Sequence, residues 1–110
     1  MTMVHGSVLP TINRARVALG GQPLTQLPKG MKEKTTGCVI ANALKDLAPN
    51  IEVGTLSLSG VSSAFADIIA REFGVEAIRS DEVVDVPLPE ELSAFVRLFD
   101  AGMFPELISS

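Results

Sequence analysis

The sequence predicts a small α+β domain: about four helices packed on a short two- or three-stranded sheet, in the order α-α-β-α-β-α. Three observations carry this expectation. Apolar residues recur at helical spacing in four separate stretches, with Ile40, Ala43, Leu44 and Leu47 the cleanest stripe of the first half. Two stretches, 51–59 and 84–88, alternate apolar and polar residues with the period of a strand. Capping and stopping residues stand where such elements would begin and end.

The first helix is expected from the face shared by Val8, Ile12, Ala15 and Leu19, started at Ser7 or Thr11 and stopped by Gly20-Gly21. Residues 1–6 read as disordered. The opposite face carries Asn13, Arg14 and Val17, with Arg16 on the flank, and an apolar valine among these polar neighbours marks a candidate contact surface. Residues 22–36 read as a loop punctuated by Pro23, Pro28 and Gly30 and anchored to the core through Leu24 and Leu27. Its segment 29–34, with Lys29, Lys32 and Lys34, is basic and expected to be mobile. The spacing is not that of a phosphate-binding loop.

The second helix starts with Thr36, Gly37 or Cys38 as its cap and ends near Leu47, ahead of Pro49. In the stretch that follows, Ile51 and Val53 alternate in one phase and Leu56 and Leu58 in the other. A single strand with a bulge or bend at Gly54 is the expectation. Ser62 or Ser63 caps a third helix through Phe73, whose stripe is Val61, Phe65, Ile68, Ile69 and Phe73, with Gly74 as its stop. Val75–Ile78 can form a short strand and Ser80-Asp81 a turn. Val84, Val86 and Leu88 then alternate as a strand, with Val83 and Asp85 on its other side. Both a right-handed parallel crossover and a hairpin remain open for this part.

The last helix opens at Pro89, with Glu90 and Glu91 at the positive end of its dipole and Leu92, Phe95, Val96 and Phe99 as its stripe. After Asp100-Ala101-Gly102 come Met103, Phe104, Leu107 and Ile108. They are expected to fold back on the core, a homodimer patch being the alternative. No repeat or linker divides residues 1–110, which read as a single domain.

Composition narrows function mainly by exclusion. The 110 residues are 46% hydrophobic and 20% charged, values of a folded domain rather than a disordered chain. No run is long enough for a membrane helix, and the first residues lack the pattern of a secretory signal. One cysteine cannot form an internal disulfide, which fits the cytoplasm. The net charge of −4 is uneven. Residues 1–50 hold six basic side chains against two acids, and residues 51–110 hold three against eleven. The halves either neutralise each other or leave a basic face for an anionic partner.

Candidate chemistry is sparse. Cys38 at a helix start is a candidate reactive thiol, because the helix dipole favours a thiolate. The only histidine, His5, lies far away in sequence, and a buried structural cysteine is the plainer expectation. One cysteine and one histidine cannot complete a metal site. Asp81, Glu82, Asp85, Glu90 and Glu91 match no calcium-loop spacing and read as solvated acids. No catalytic residue, cofactor or metal is expected, and the chain reads as a non-enzyme.

Three segments, taken together, carry a resemblance. Ile12-Asn13-Arg14-Ala15-Arg16 leads into Leu27-Pro28-Lys29-Gly30, Cys38-Val39-Ile40-Ala41-Asn42-Ala43-Leu44 follows, and Val86-Pro87-Leu88-Pro89-Glu90-Glu91-Leu92 leads into Phe95-Val96-Arg97-Leu98-Phe99-Asp100-Ala101-Gly102-Met103-Phe104-Pro105-Glu106-Leu107. In this order they resemble small uncharacterised proteins of actinobacteria and their phages. Those proteins share a Cys-Pro-Ile-Ala-x-Ala-Leu-like motif and a Phe-Asp-Ala-Gly-x-x-Pro-Glu-Leu-like ending. Val39 stands here where that motif has proline, a residue suited to the first helical position. The resemblance implies a phage-type accessory protein and supplies no catalytic residues. The function expected is binding of a host or phage protein, with Asn13, Arg14, Arg16, Val17, Lys29, Lys32 and Lys34 as candidate surface. A nucleic-acid-binding regulator using the basic residues is the alternative, although the long loop 22–36 separates the first two helices where a recognition helix would follow a short turn.

Overall fold

The computed structural model describes residues 4–80 and 83–109. Along them run α1 (Val4–Ala18), α2 (Val39–Leu44), β1 (Glu52–Val53), β2 (Ser57–Ser59), α3 (Ser63–Phe73), β3 (Ile78–Arg79), β4 (Val84–Pro87), α4 (Glu90–Asp100) and a short 3-10 turn (Pro105–Leu107). The α+β class is as expected. The described strands form a four-stranded antiparallel sheet, β1-β2-β4-β3, one strand more than the largest sheet predicted.

The extra strand comes from the stretch with two alternation phases. It is a hairpin, not one bulged strand: the Gly54 N–H donates to the Ser57 carbonyl at 2.9 Å, and Val53 then lies opposite Leu58. Reversal of the chain between the two apolar pairs produces the phase change. It leaves Leu56 exposed at the turn, whereas Val53 and Leu58 are buried. The parallel crossover is also set aside. β2 pairs antiparallel with β4, setting Leu58 opposite Val86, and β3 and β4 form the hairpin. Helices cover the face carrying Val53, Leu58 and Val86, while Glu52, Ser57, Ser59 and Asp85 keep water on the other.

α1 begins at Val4, earlier than the predicted start, so residues 4–6 are helical rather than disordered; residues 1–3 lie outside the described residues. Pro10 inside the helix has no N–H to give, while the Thr11 hydroxyl donates to the Ser7 carbonyl at 3.0 Å. Val8, Ile12 and Ala15 are fully buried, as their spacing requires. α2 is capped by Cys38 and is shorter than predicted, with turns carrying the chain on to Ala48.

Ser62 caps α3 by accepting the Phe65 N–H at 3.2 Å, and Gly74 ends it at φ 73°, a left-handed conformation that disfavours a side chain. The buried side of α3 is Ala66, Ile69, Ala70 and Phe73. Phe65 and Ile68, placed in the predicted stripe, are only partly covered. Arg79, on β3, clips the sheet edge to α3 through Ser63 (2.5 Å) and Asp67.

α4 buries Leu92, Phe95, Val96 and Phe99 as predicted, with Pro89 as its cap residue. The tail folds back: the Phe104 ring stacks on Phe95 with centroids 5.2 Å apart, and Leu107 is buried beside it. Met103 does not join them and is 61% exposed.

Candidate functional site

The residues proposed from sequence as one surface fall into three different environments. Arg16 is not on an exposed face at all, being 4% exposed. Its Nε donates to the Gln22 carbonyl at 2.7 Å and its Nη1 to the Ala43 carbonyl at 2.6 Å. Nη1 and Nη2 also grip the two Asp46 carboxylate oxygens at 2.7 and 3.0 Å. The planar guanidinium satisfies three elements of structure at once, a geometry that lysine cannot supply. The hydrogen bond from Arg16 holds the Asp46 carboxyl below its ordinary pKa, and Asp46 in turn raises that of Arg16.

Asn13 performs a related task. Its side-chain amide donates to the Leu24 carbonyl at 2.9 Å, and its Oδ1 accepts the Leu24 N–H at 2.7 Å. Together these two side chains fasten the start of the loop to α1, leaving Arg14 and Val17 as the exposed members of the predicted surface on that helix. Among the described residues Arg14 reaches only the Thr11 hydroxyl, at 3.5 Å, and Val17 is 56% exposed. Both line a shallow groove of about 470 Å³, bounded by Pro10, Asn13, Arg14, Val17 and Ala18 of α1 and by Glu72 of α3. Pro10 and Ala18 could have been added from helical spacing. Glu72 could not, because only the packing of α3 on α1 brings it there.

Lys29, Lys32 and Lys34 are exposed and belong to a different place. Their segment was expected to be mobile, yet it is fastened along its length. Gly30 forms a parallel bridge to Ile108, donating to the Leu107 carbonyl and accepting from the Ser109 N–H, both at 2.8 Å. A side chain at position 30 would collide with the backbone of Cys38 and Val39, so only glycine lets the tail and the start of α2 close on this strand of loop. Met31 N–H donates to the Gly37 carbonyl at 2.8 Å, closing residues 31–37 into a turn. Asn42 holds the Lys29 carbonyl at 2.8 Å, and Asp100 accepts the Glu33 N–H at 2.8 Å.

Cys38 is 3% exposed, and its sulfur accepts the Ala41 N–H at 3.5 Å. Burial pushes the thiol pKa up, and the backbone N–H groups that favour the thiolate only partly oppose this. A cavity of about 210 Å³ touches it, between Lys34, Val53, Val96 and Asp100. The sulfur thus serves as a helix cap, and its environment disfavours the ionised form a nucleophile needs.

The His5 side chain and the acids Asp81 and Glu82 lie outside the described residues. Among the described residues no cluster of three metal-ligating side chains occurs, and no helix is long and apolar enough to cross a membrane. No family model matches the chain, nor does any curated protein or solved structure.

Proposed function

We propose that this chain is a small accessory protein, of the phage type its sequence resembles, that acts in the cytoplasm by binding another protein and carries no catalytic role. The carrying observation is the groove between α1 and α3. It is apolar at Pro10, Val17 and Ala18, with the Arg14 cation on one element and the Glu72 carboxylate on the other. Val17 stays exposed on a helix whose neighbouring polar side chains, Asn13 and Arg16, are engaged in hydrogen bonds.

The occupant that fits is an amphipathic helix of a partner protein. Its apolar side chains would enter over Val17, with an acidic residue facing Arg14 and a basic one facing Glu72. The burial of Cys38 supports a structural role for the thiol. The engagement of Arg16 with Asp46 removes one basic residue from those that a nucleic-acid-binding reading would use.

Affinity capture from an actinobacterial lysate tests the proposal, with the parent protein and a folded Val17→Asp variant run in parallel. The expected result is a protein retained by the parent at physiological salt and lost with the variant. Equal recovery on both, or nothing above background, would overturn it. A salt-sensitive mobility shift with duplex DNA would favour the nucleic-acid alternative instead.

A further inference from the structure

The two edges of the sheet are treated differently. At the β1 edge, the Val53 N–H turned away from β2 donates to the Thr35 carbonyl at 2.8 Å, so the loop covers it. At the β3 edge no described segment does the same. The Ser80 N–H donates to the Val83 carbonyl at 3.0 Å, which makes residues 80 and 83 a hydrogen-bonded pair of the β3–β4 hairpin. Bonded and non-bonded pairs alternate along an antiparallel ladder. Arg79, opposite Val84, therefore turns its N–H and carbonyl outward, and by the same alternation so does Ala77. No described residue bonds these outward groups. The Arg79 side chain is held on the helix side of the sheet by Ser63 and Asp67. Ile78 and Val83 lie on the other, water-facing side with Asp85, and are 59% and 48% exposed.

We infer that this edge pairs with the β3 edge of a second copy of the chain, antiparallel about a two-fold axis at Ile78. The bonding pattern selects both occupant and register, because antiparallel bonds form only between residues whose groups face the gap. Ala77 opposite Arg79 of the second copy lets each pair exchange its bonds, and it sets Ile78 against Ile78. Slipping the pairing one way sets Ile78 against Glu76, and slipping it the other way sets Arg79 against Arg79. In the chosen register no like charges stand opposite, and Asp67 already neutralises Arg79 within its own copy. Ile78 and Val83 of both copies then form one patch, which removes the exposed apolar side chains of this hairpin from water. Because the loop covers the β1 edge, each copy offers one open edge, and assembly stops at two. The inference stands apart from the α1 groove, with which this edge shares no residue.

The test is light scattering on the full chain from about 1 μM to about 1 mM, where a short contact of this kind should associate. The mass rises with concentration from that of one chain toward that of two, and no further. Ile78→Lys sets like charges against each other in place of two apolar side chains and weakens the dimer by about tenfold or more. Residue 78 is exposed, so this variant keeps the urea midpoint of the parent. Val17→Asp leaves the dimer unchanged. A cysteine probe reads the register. Ile78→Cys places two thiols across the axis at a Cα separation of about 4.5 Å, within reach of a disulfide, so mild oxidation links the copies. Ser80→Cys lies opposite residue 76 and does not link them, and the parent, whose Cys38 is buried, gives the background. Four results would overturn the inference: a parent that stays monomeric throughout, a dimer that withstands Ile78→Lys or is lost with Val17→Asp, growth beyond two chains, or linking at position 80 as ready as at 78.

Discussion

Arg14 and Arg16 stand two positions apart on α1, a rotation of about 200° around the helix. The first is exposed at the edge of a groove and holds a single long hydrogen bond. The second is buried, donates to two carbonyls and grips a carboxylate with both arms of its fork. The same side chain is thus a candidate contact in one place and an internal brace in the other. What separates them is the element laid over each: α2 and the loop cover Arg16, and no described element covers Arg14. Helical spacing distinguishes faces, but it does not say which face another segment will cover.

The comparison breaks most visibly at the apolar residues of the same helix. Ile12 is fully buried, so Ile12→Ala removes packed atoms and leaves a cavity; the expected cost is roughly 2–5 kcal/mol. Val17→Ala on the groove side should shift stability by no more than about 0.5 kcal/mol. Urea midpoints for the two variants check this directly. Similar losses would mean that Val17 is covered in the folded chain.

The arginines themselves give the next effect. Arg16→Ala strands the Ala43 carbonyl in the interior and releases the loop, an expected loss of roughly 2–3 kcal/mol. Arg14→Ala should lie within about 0.5 kcal/mol of the parent. Arg16→Lys keeps the charge but not the fork, and an intermediate value is expected. If the lysine variant equalled the parent, charge alone would account for the brace.

The smallest effect is the acid dependence of that brace. The folded-state pKa of Asp46 lies below its unfolded value, because Arg16 bonds the ionised form. Its contribution is therefore present above the unfolded value near ~3.9 and is lost as pH falls through the folded one. The Asp46 side chain is 60% exposed, so water screens the pair, and the contribution should stay under about 1 kcal/mol. Denaturant midpoints measured from about pH 6 down to about pH 3 should fall more steeply for the parent than for Asp46→Asn. Parallel curves would show that the carboxylate adds nothing beyond the carbonyl bonds.

Much of the fold was legible because local rules suffice for it. Serine at 62, glycine at 74, proline at 89 and the stripe Leu92, Phe95, Val96 and Phe99 each act within one or two turns of helix. The glycine and the stripe stand as predicted, Ser62 is one of the two caps expected, and Pro89 sits one position earlier, as the cap. The hairpin at Gly54 was missed because a bulge and a reversal leave the same change of phase in the alternation; only pairing of Val53 with Leu58 distinguishes them. The candidate surface was half legible. Arg14 and Val17 share an uncovered face that spacing reveals, whereas Glu72 enters the groove from another helix and Arg16 leaves it through contacts with Ala43 and Asp46.

By itself, the sequence determined the α+β class, the positions of the helices, the cap and stop residues and most of the core. These follow from periodicity and backbone preferences acting over a few residues. Only the tertiary structure decided the sheet order β1-β2-β4-β3, the burial of Arg16 and the fastening of the loop at Gly30 against the tail. Each of these depends on which distant segment arrives to cover a side chain or pair with a backbone group. That choice is made by the packing of the whole chain, so no local pattern records it.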